Sequence, residues 1–152
     1  MDYGVATEHS EHYYYNPTNG SVSVSDTGTK LQNSSGNMDL NMIKLDQPVN
    51  TTGIYHWNAP LVIEFDIVES TATNGEALVQ VYSVTTNSQC TQWIGSDIGH
   101  WKVEVNSDNT QNVYCNGTLK KSTSLTLTDS RIILRTTNLK YLIYKNFRIR
   151  EG

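Results

Sequence analysis

Apolar residues recur along this chain with period two, and almost nowhere with the i, i+3, i+4 spacing of a helix. The clearest stretch is Trp57 to Glu69, WNAPLVIEFDIVE, where Leu61, Ile63, Phe65 and Ile67 alternate with Val62, Glu64, Asp66 and Val68. Such alternation describes a strand with one core face and one acidic face. The same logic predicts strands over Gly20 to Ser25, Met38 to Lys44, Leu61 to Glu69, Ala77 to Thr85 and Gln92 to Ile94. It extends to Trp101 to Asn106, Thr110 to Cys115, Ser124 to Leu127, Arg131 to Thr136 and Tyr141 to Arg150.

Turn chemistry separates these segments: Asn19-Gly20, Gly36-Asn37, Asn74-Gly75, Asn116-Gly117 and the polar run Asn106-Ser107-Asp108-Asn109. Trp101, Val103 and Val105 lead into that run, and Val113 and Cys115 lead out of it, which is a hairpin followed by a second turn. So many strands exceed one open sheet. The expected fold is all-β, a two-sheet antiparallel β-sandwich of jelly-roll type. Its 152 residues suit one domain, 1–152, with 1–20 a weakly patterned segment that serves as a docking strand or a junction.

Charge narrows the partners. With 15 acidic against 11 basic residues the net charge is −4, and Lys120-Lys121 and Arg148-Arg150 are too sparse to bind a nucleic acid or an anionic membrane. No apolar run approaches the ~20 residues of a membrane span, and the segment after Met1 lacks the basic start and apolar centre of a signal peptide. Charged residues are only 17 %, against abundant Ser, Thr, Asn and Tyr, a balance typical of extracellular β-proteins. Cys90 and Cys115 allow one disulfide, and neither has metal-ligand spacing. Asn19, Asn33, Asn50 and Asn116 each begin an N-x-S/T sequon, relevant only where secreted proteins are glycosylated.

Three pieces, PLVIEFDIVE, HWKVEVNSDNTQNVYCNGT and YLIYKNFRIRE, resemble the concanavalin A-like, laminin G-like jelly-roll superfamily over about Asp26 to Glu151. The last is similar to the closing strand of binding modules in phage tail and cell-surface proteins. The resemblance implies sugar binding on the concave sheet, frequent calcium sites, and hydrolysis in some branches. For calcium, Asp26, Asp39 and Asp46 are the candidate ligands, although they form no recognisable oxygen-ligand loop. Otherwise no cofactor is expected.

Glu64, Asp66 and Glu69 form E-x-D-x-x-E, which resembles the catalytic strand of laminarinase-type and lichenase-type β-glucanases. Retaining glycosidases need two carboxyl groups about 5 to 5.5 Å apart. Strand positions i and i+2 lie on one face, but Glu69, at i+5, joins them only if a β-bulge shifts the register. The short chain and the missing Trp-rich context favour a solvated strand face over hydrolysis.

A glycan site combines aromatic faces, which stack on sugar C–H surfaces, with polar groups for the hydroxyls. Trp57, preceded by Tyr55 and His56, and Trp93, in TQWIGSDIGH with Gln92, Asp97 and His100, are the candidate platforms, each equally readable as core. Trp101 reads as core. Gln80 and Tyr82 alternate with Val79 and Val81 and are expected to share a concave face with Glu64 and Asp66. His9 and His12 read as a solvated pair.

The preferred expectation is a non-catalytic carbohydrate-binding module of a larger extracellular, cell-surface or virion-surface protein. A structural assembly domain, as a homo-oligomer, and a compact β-glucanase using Glu64, Asp66 and Glu69 are the alternatives.

Overall fold

The structure of the protein, a computed structural model, describes residues 2–3, 13–15, 19–42 and 57–152. Its elements are β1 (Asp2–Tyr3), β2 (Tyr13–Tyr15), β3 (Gly20–Ser25), β4 (Gly28–Asn33), β5 (Asn37–Met42), β6 (Leu61–Ser70) and β7 (Ala77–Ser83). They continue as β8 (Ser88–Trp93), β9 (Gly99–Val105), β10 (Gln111–Cys115), β11 (Thr118–Thr123), β12 (Ser130–Thr137) and β13 (Tyr141–Glu151). One sheet runs β11-β10-β9-β6-β13-β4-β3, with β1 also on β13, and the other runs β2-β5-β12-β7-β8. Every pairing is antiparallel. The fold is therefore the two-sheet β-sandwich that the alternation predicts.

Inward residues of both sheets meet in one core. Leu61, Ile63, Phe65 and Ile67 of β6, Trp101, Val103 and Val105 of β9, Val79 and Val81 of β7, and Ile132 and Leu134 of β12 are all buried there. Phe65 lies parallel to Trp101 (centroids 6.4 Å apart) and to Phe147 (5.3 Å), while Tyr144 meets Phe147 edge-on at 5.8 Å. This aromatic column ties β6, β9 and β13 together at the middle of the larger sheet.

Most strand boundaries fall within a few residues of their predicted positions, and three assignments differ. Gly28–Asn33 forms β4, although it carries a single large apolar residue, Leu31; a two-residue turn at Asp26-Thr27 folds it against β3. The strand after Asn116-Gly117 is Thr118–Thr123, polar throughout except Leu119, because the positive φ of both turn residues (51° and 79°) closes a tight hairpin onto β10. Ser124 to Leu127 is not a strand but an irregular connection whose Leu127 is buried. Local apolar alternation misses β11, an exposed edge strand, and β4, an inner strand whose buried positions other than Leu31 are polar or glycine.

Two irregularities shape the larger sheet. Against β13, β6 carries one extra residue at Val68, and β13 carries one opposite Phe65, where Asn146 adopts a left-handed backbone (φ 54°). The first bulge turns Glu69 outward; the second aims Asn146 at the outer face beside Asp66.

Candidate functional site

The loop between β8 and β9, residues 94–98, forms the wall between two shallow clefts. One, of about 300 Å³, is lined by Asn74, Gln92, Trp93 and residues 94–97. The other, of about 390 Å³, is lined by residues 96–98 with Cys115, Asn116, Thr118 and Lys120. Ser96 and Asp97 belong to both. Trp93 remains 43 % exposed at the end of β8, and Ile98 is exposed beside the second cleft.

Buried anchors hold this loop. Ile94 is in the core and its N–H donates to the Ala77 carbonyl at 2.8 Å. The Ser70 hydroxyl donates to the Gly95 carbonyl at 2.6 Å, and the Trp101 indole N–H to the Asp97 carbonyl at 3.0 Å. Lys120 Nζ lies 3.2 Å from Asp97 Oδ2 and joins the loop to β11. Polar groups at the clefts are thus positioned before any ligand arrives, which lowers the ordering cost of binding.

Immediately beyond the loop, His100 stands on the outer face of the larger sheet. Its Nδ1 is 2.8 Å from Asp66 Oδ1 and its Nε2 is 3.0 Å from Glu64 Oε1. A carboxylate only accepts, so both ring nitrogens donate and the imidazole is a cation. Glu64 Oε2 receives Arg148 at 3.2 Å and Arg150 at 3.1 Å, and Asp66 Oδ2 receives the Asn146 amide at 2.8 Å. All four carboxylate oxygens are occupied.

The charges follow. Burial alone would raise the Glu64 carboxyl, but the His100 hydrogen bond and the two guanidinium groups outweigh it and hold the group below its usual range. At Asp66 burial likewise raises the carboxyl, and the hydrogen bonds from Asn146 and His100 outweigh it and hold the group below its usual range. The Asp66 hydrogen bond chiefly raises His100, against a burial effect that lowers it. Neither carboxyl is a proton donor near neutral pH. Glu69, turned outward by the bulge, accepts from the Tyr141 hydroxyl at 2.9 Å and makes no hydrogen bond to the His100 cluster. The bulge condition is met, but the E-x-D-x-x-E carboxylates are engaged in a structural clamp rather than set as an acid and a nucleophile.

The candidate ligand residues separate into four places. Trp93, Gln92 and Asp97 come together at the clefts. Glu64, Asp66 and His100 form the clamp next to them. Trp57 is fully buried, its indole N–H donating to the Met42 carbonyl at 3.0 Å, so it is core and not a platform. Gln80 and Tyr82 lie on β7, in the opposite sheet, where Gln80 bonds Thr91 and Gln89 and Tyr82 bonds Asn87; they share no face with Glu64 and Asp66. Tyr55 and His56 lie outside the described residues, as do His9, His12, Asp46 and Asn50.

Cys90 and Cys115 are buried free thiols, on β8 and β10 of different sheets, and burial raises both. The disulfide that the two cysteines allow is not formed. Asp39 is held by the Arg135 guanidinium on the smaller sheet, whereas Asp26 sits in the β3–β4 turn of the larger one. These two of the three suggested calcium ligands stand on different sheets, and no group of three His, Cys, Asp or Glu suited to a metal occurs among the described residues. Of the sequons, Asn33 is buried with its amide on backbone carbonyls. Asn116 accepts the His100 N–H at 2.8 Å and donates to the Ile98 carbonyl.

Asn74, Ser96, Asn116 and Lys120 are cleft residues that sequence reasoning did not single out as ligand groups. Asn116 was legible as a turn former and the start of a sequon, not as a cleft residue. Its side chain reaches the β8–β9 loop because the hairpin brings position 116 beside position 99 in space.

No family model matches the chain, and no curated protein is similar to it in sequence. Solved structures are similar in fold. A sialidase superposes at TM-score 0.63 with 12 % identity, over 98 % of this chain and 18 % of the sialidase. The carbohydrate-binding module CBM66 from Bacillus subtilis superposes at 0.58 with 11 % identity, over 92 % of this chain and 96 % of the module. An agarase, AgWH50C, superposes at TM-score 0.52 with 11 % identity, over 93 % of this chain and 23 % of the enzyme. This chain thus spans about a fifth of the sialidase and nearly all of the binding module, and these likenesses establish a jelly-roll β-sandwich of the kind found in carbohydrate-binding modules.

Proposed function

We propose that this domain is a non-catalytic glycan-binding module whose site is the pair of clefts around Trp93 and Asp97. One observation carries the proposal: Trp93 is a large aromatic left 43 % exposed at the rim of a cleft whose polar lining is Asn74, Gln92, Ser96 and Asp97. An indole face offers stacking to a sugar ring, and the amides, hydroxyl and carboxylate offer partners for its hydroxyls. The fold likeness to a carbohydrate-binding module over nearly its whole length supports the same reading.

Shallow, open clefts fit weak binding at a single site, strengthened by multivalency in a larger protein displayed outside the cell. Catalysis is disfavoured by the clamp, since Glu64 and Asp66 are held ionised and fully hydrogen-bonded. Glycan-array screening of the labelled protein, followed by calorimetric titration of any hit, tests the proposal. Binding that is lost in Trp93→Ala, with the fold retained, is expected. A blank array with folded protein at high concentration, or binding unchanged in Trp93→Ala, overturns it.

A further inference from the structure

The strand β3 ends the larger sheet, and among the described residues nothing pairs with its outer edge. Exposed edges ordinarily carry charges, prolines or bulges that prevent pairing with another chain. At the opposite end of the same sheet, β11 carries Lys120 and Lys121 and its pairing with β10 is irregular. By contrast, β3 reads Gly-Ser-Val-Ser-Val-Ser, with no charge, no proline and an unbroken register from Gly20↔Asn33 to Ser25↔Gly28.

The two-residue turn fixes which groups face outward. Ser25 and Gly28 close it as the hydrogen-bonded pair, so Ser23 with Lys30 and Ser21 with Gln32 are bonded pairs too. The N–H and C=O groups of Val22 and Val24 therefore point away from β4, toward the open edge. Side chains add a second feature. Val22 packs against the core, while Val24, on the same face, is 56 % exposed.

We propose that β3 is a self-pairing edge, and that two copies of this chain join across a two-fold axis through Ser23. The segment Ser21-Val22-Ser23-Val24-Ser25 reads the same in both directions. Antiparallel pairing centred on Ser23 sets Val22 of one copy opposite Val24 of its partner, twice, in the hydrogen-bonding phase that those residues leave open. Each exposed Val24 then lies against a Val22 already seated on its own core. The two sheets become one continuous sheet, which is the isologous arrangement a closed dimer needs. The clefts around Trp93 lie toward the β9–β11 end of the sheet, far from the axis, so the dimer presents two of them.

Light scattering after size exclusion, on the full chain over a concentration series, measures the dimer directly. Val24→Pro removes an outward N–H without touching the bonds to β4 and is expected to give a monomer with unchanged thermal unfolding. Ser23→Cys places two thiols opposite each other on the axis and is expected to form a disulfide-linked dimer under mild oxidation. Ser21→Cys, whose two copies stand several residues apart, is not. A wild-type monomer at high concentration overturns the proposal. So does a dimer that persists in Val24→Pro, or equal cross-linking of the Ser23 and Ser21 variants.

Discussion

His100 on β9 and Glu64 on β6 meet with Nε2 3.0 Å from Oε1, one half of a clamp that Asp66 completes 2.8 Å from Nδ1. Asp66 lies directly across from His100, and Glu64 lies diagonally, so one imidazolium spans two positions of the neighbouring strand. Arg148 and Arg150 reach Glu64 from β13, and three adjacent strands are joined on their solvent face.

The clamp makes stability depend on pH in a defined sense. His100 has a folded pKa above its ordinary 6.5, so its contribution is complete below that value and is lost as pH rises through the folded value. Glu64 and Asp66 have folded values below their ordinary 4.5 and 3.8; their contribution is complete above those values and is lost as pH falls through the folded ones. The clamp is thus strongest from about pH 4.5 to 6.5. Thermal unfolding of wild type and His100→Gln should differ most near about pH 5.5, and the difference should shrink as pH rises through the raised folded value of His100. An equal difference on both sides of that value would show that His100 is not the titrating group.

Trp57 and Trp93 should separate cleanly on truncation. Trp57 is fully buried, and Trp57→Ala is expected to cost about 3 to 5 kcal/mol in urea denaturation. Trp93 stands at the cleft rim, and Trp93→Ala is expected to cost less than about 1 kcal/mol while abolishing glycan binding. Comparable losses of stability in the two variants would place Trp93 in the core.

Gly99 has a φ of 121°, and a Cβ there would collide with the Asn116 side chain. That side chain bridges the His100 N–H and the Ile98 carbonyl at the second cleft. Gly99→Ala should therefore destabilise by about 1 to 3 kcal/mol from the backbone alone and also disturb the cleft. A change under about 0.5 kcal/mol would mean that the loop accommodates a side chain freely.

Leu139 offers the opposite case. It follows Asn138 in the β12–β13 turn with φ 64°, and its side chain is 67 % exposed. A left-handed leucine costs about 1 to 2 kcal/mol, whereas glycine's extra freedom in the unfolded chain returns about 0.5 to 1. Leu139→Gly should therefore stabilise by roughly 0.5 to 1 kcal/mol, measured as a higher urea midpoint. A lower midpoint would show that the exposed side chain makes contacts worth more than the strain.

The sequence by itself determined the strands that bury a face, because alternation is a local consequence of a two-residue repeat against a core: β6, β9 and β10 are legible from Leu61, Trp101 and Val113 onward. It also marked the turns, since Asn116-Gly117 relieves a positive φ that other residues resist. Only the tertiary structure decided which sheet each strand joins. For that reason Gln80 and Tyr82 parted from Glu64 and Asp66, although all four stand at outward positions. It decided that Trp57 is core and Trp93 is rim, because the burial of a large side chain depends on what packs over it. It placed Glu69 outward through a bulge at Val68 that no local pattern announces. Partners such as His100 and Glu64, 36 residues apart, meet through strand register, and register is set by the whole sheet rather than by either strand.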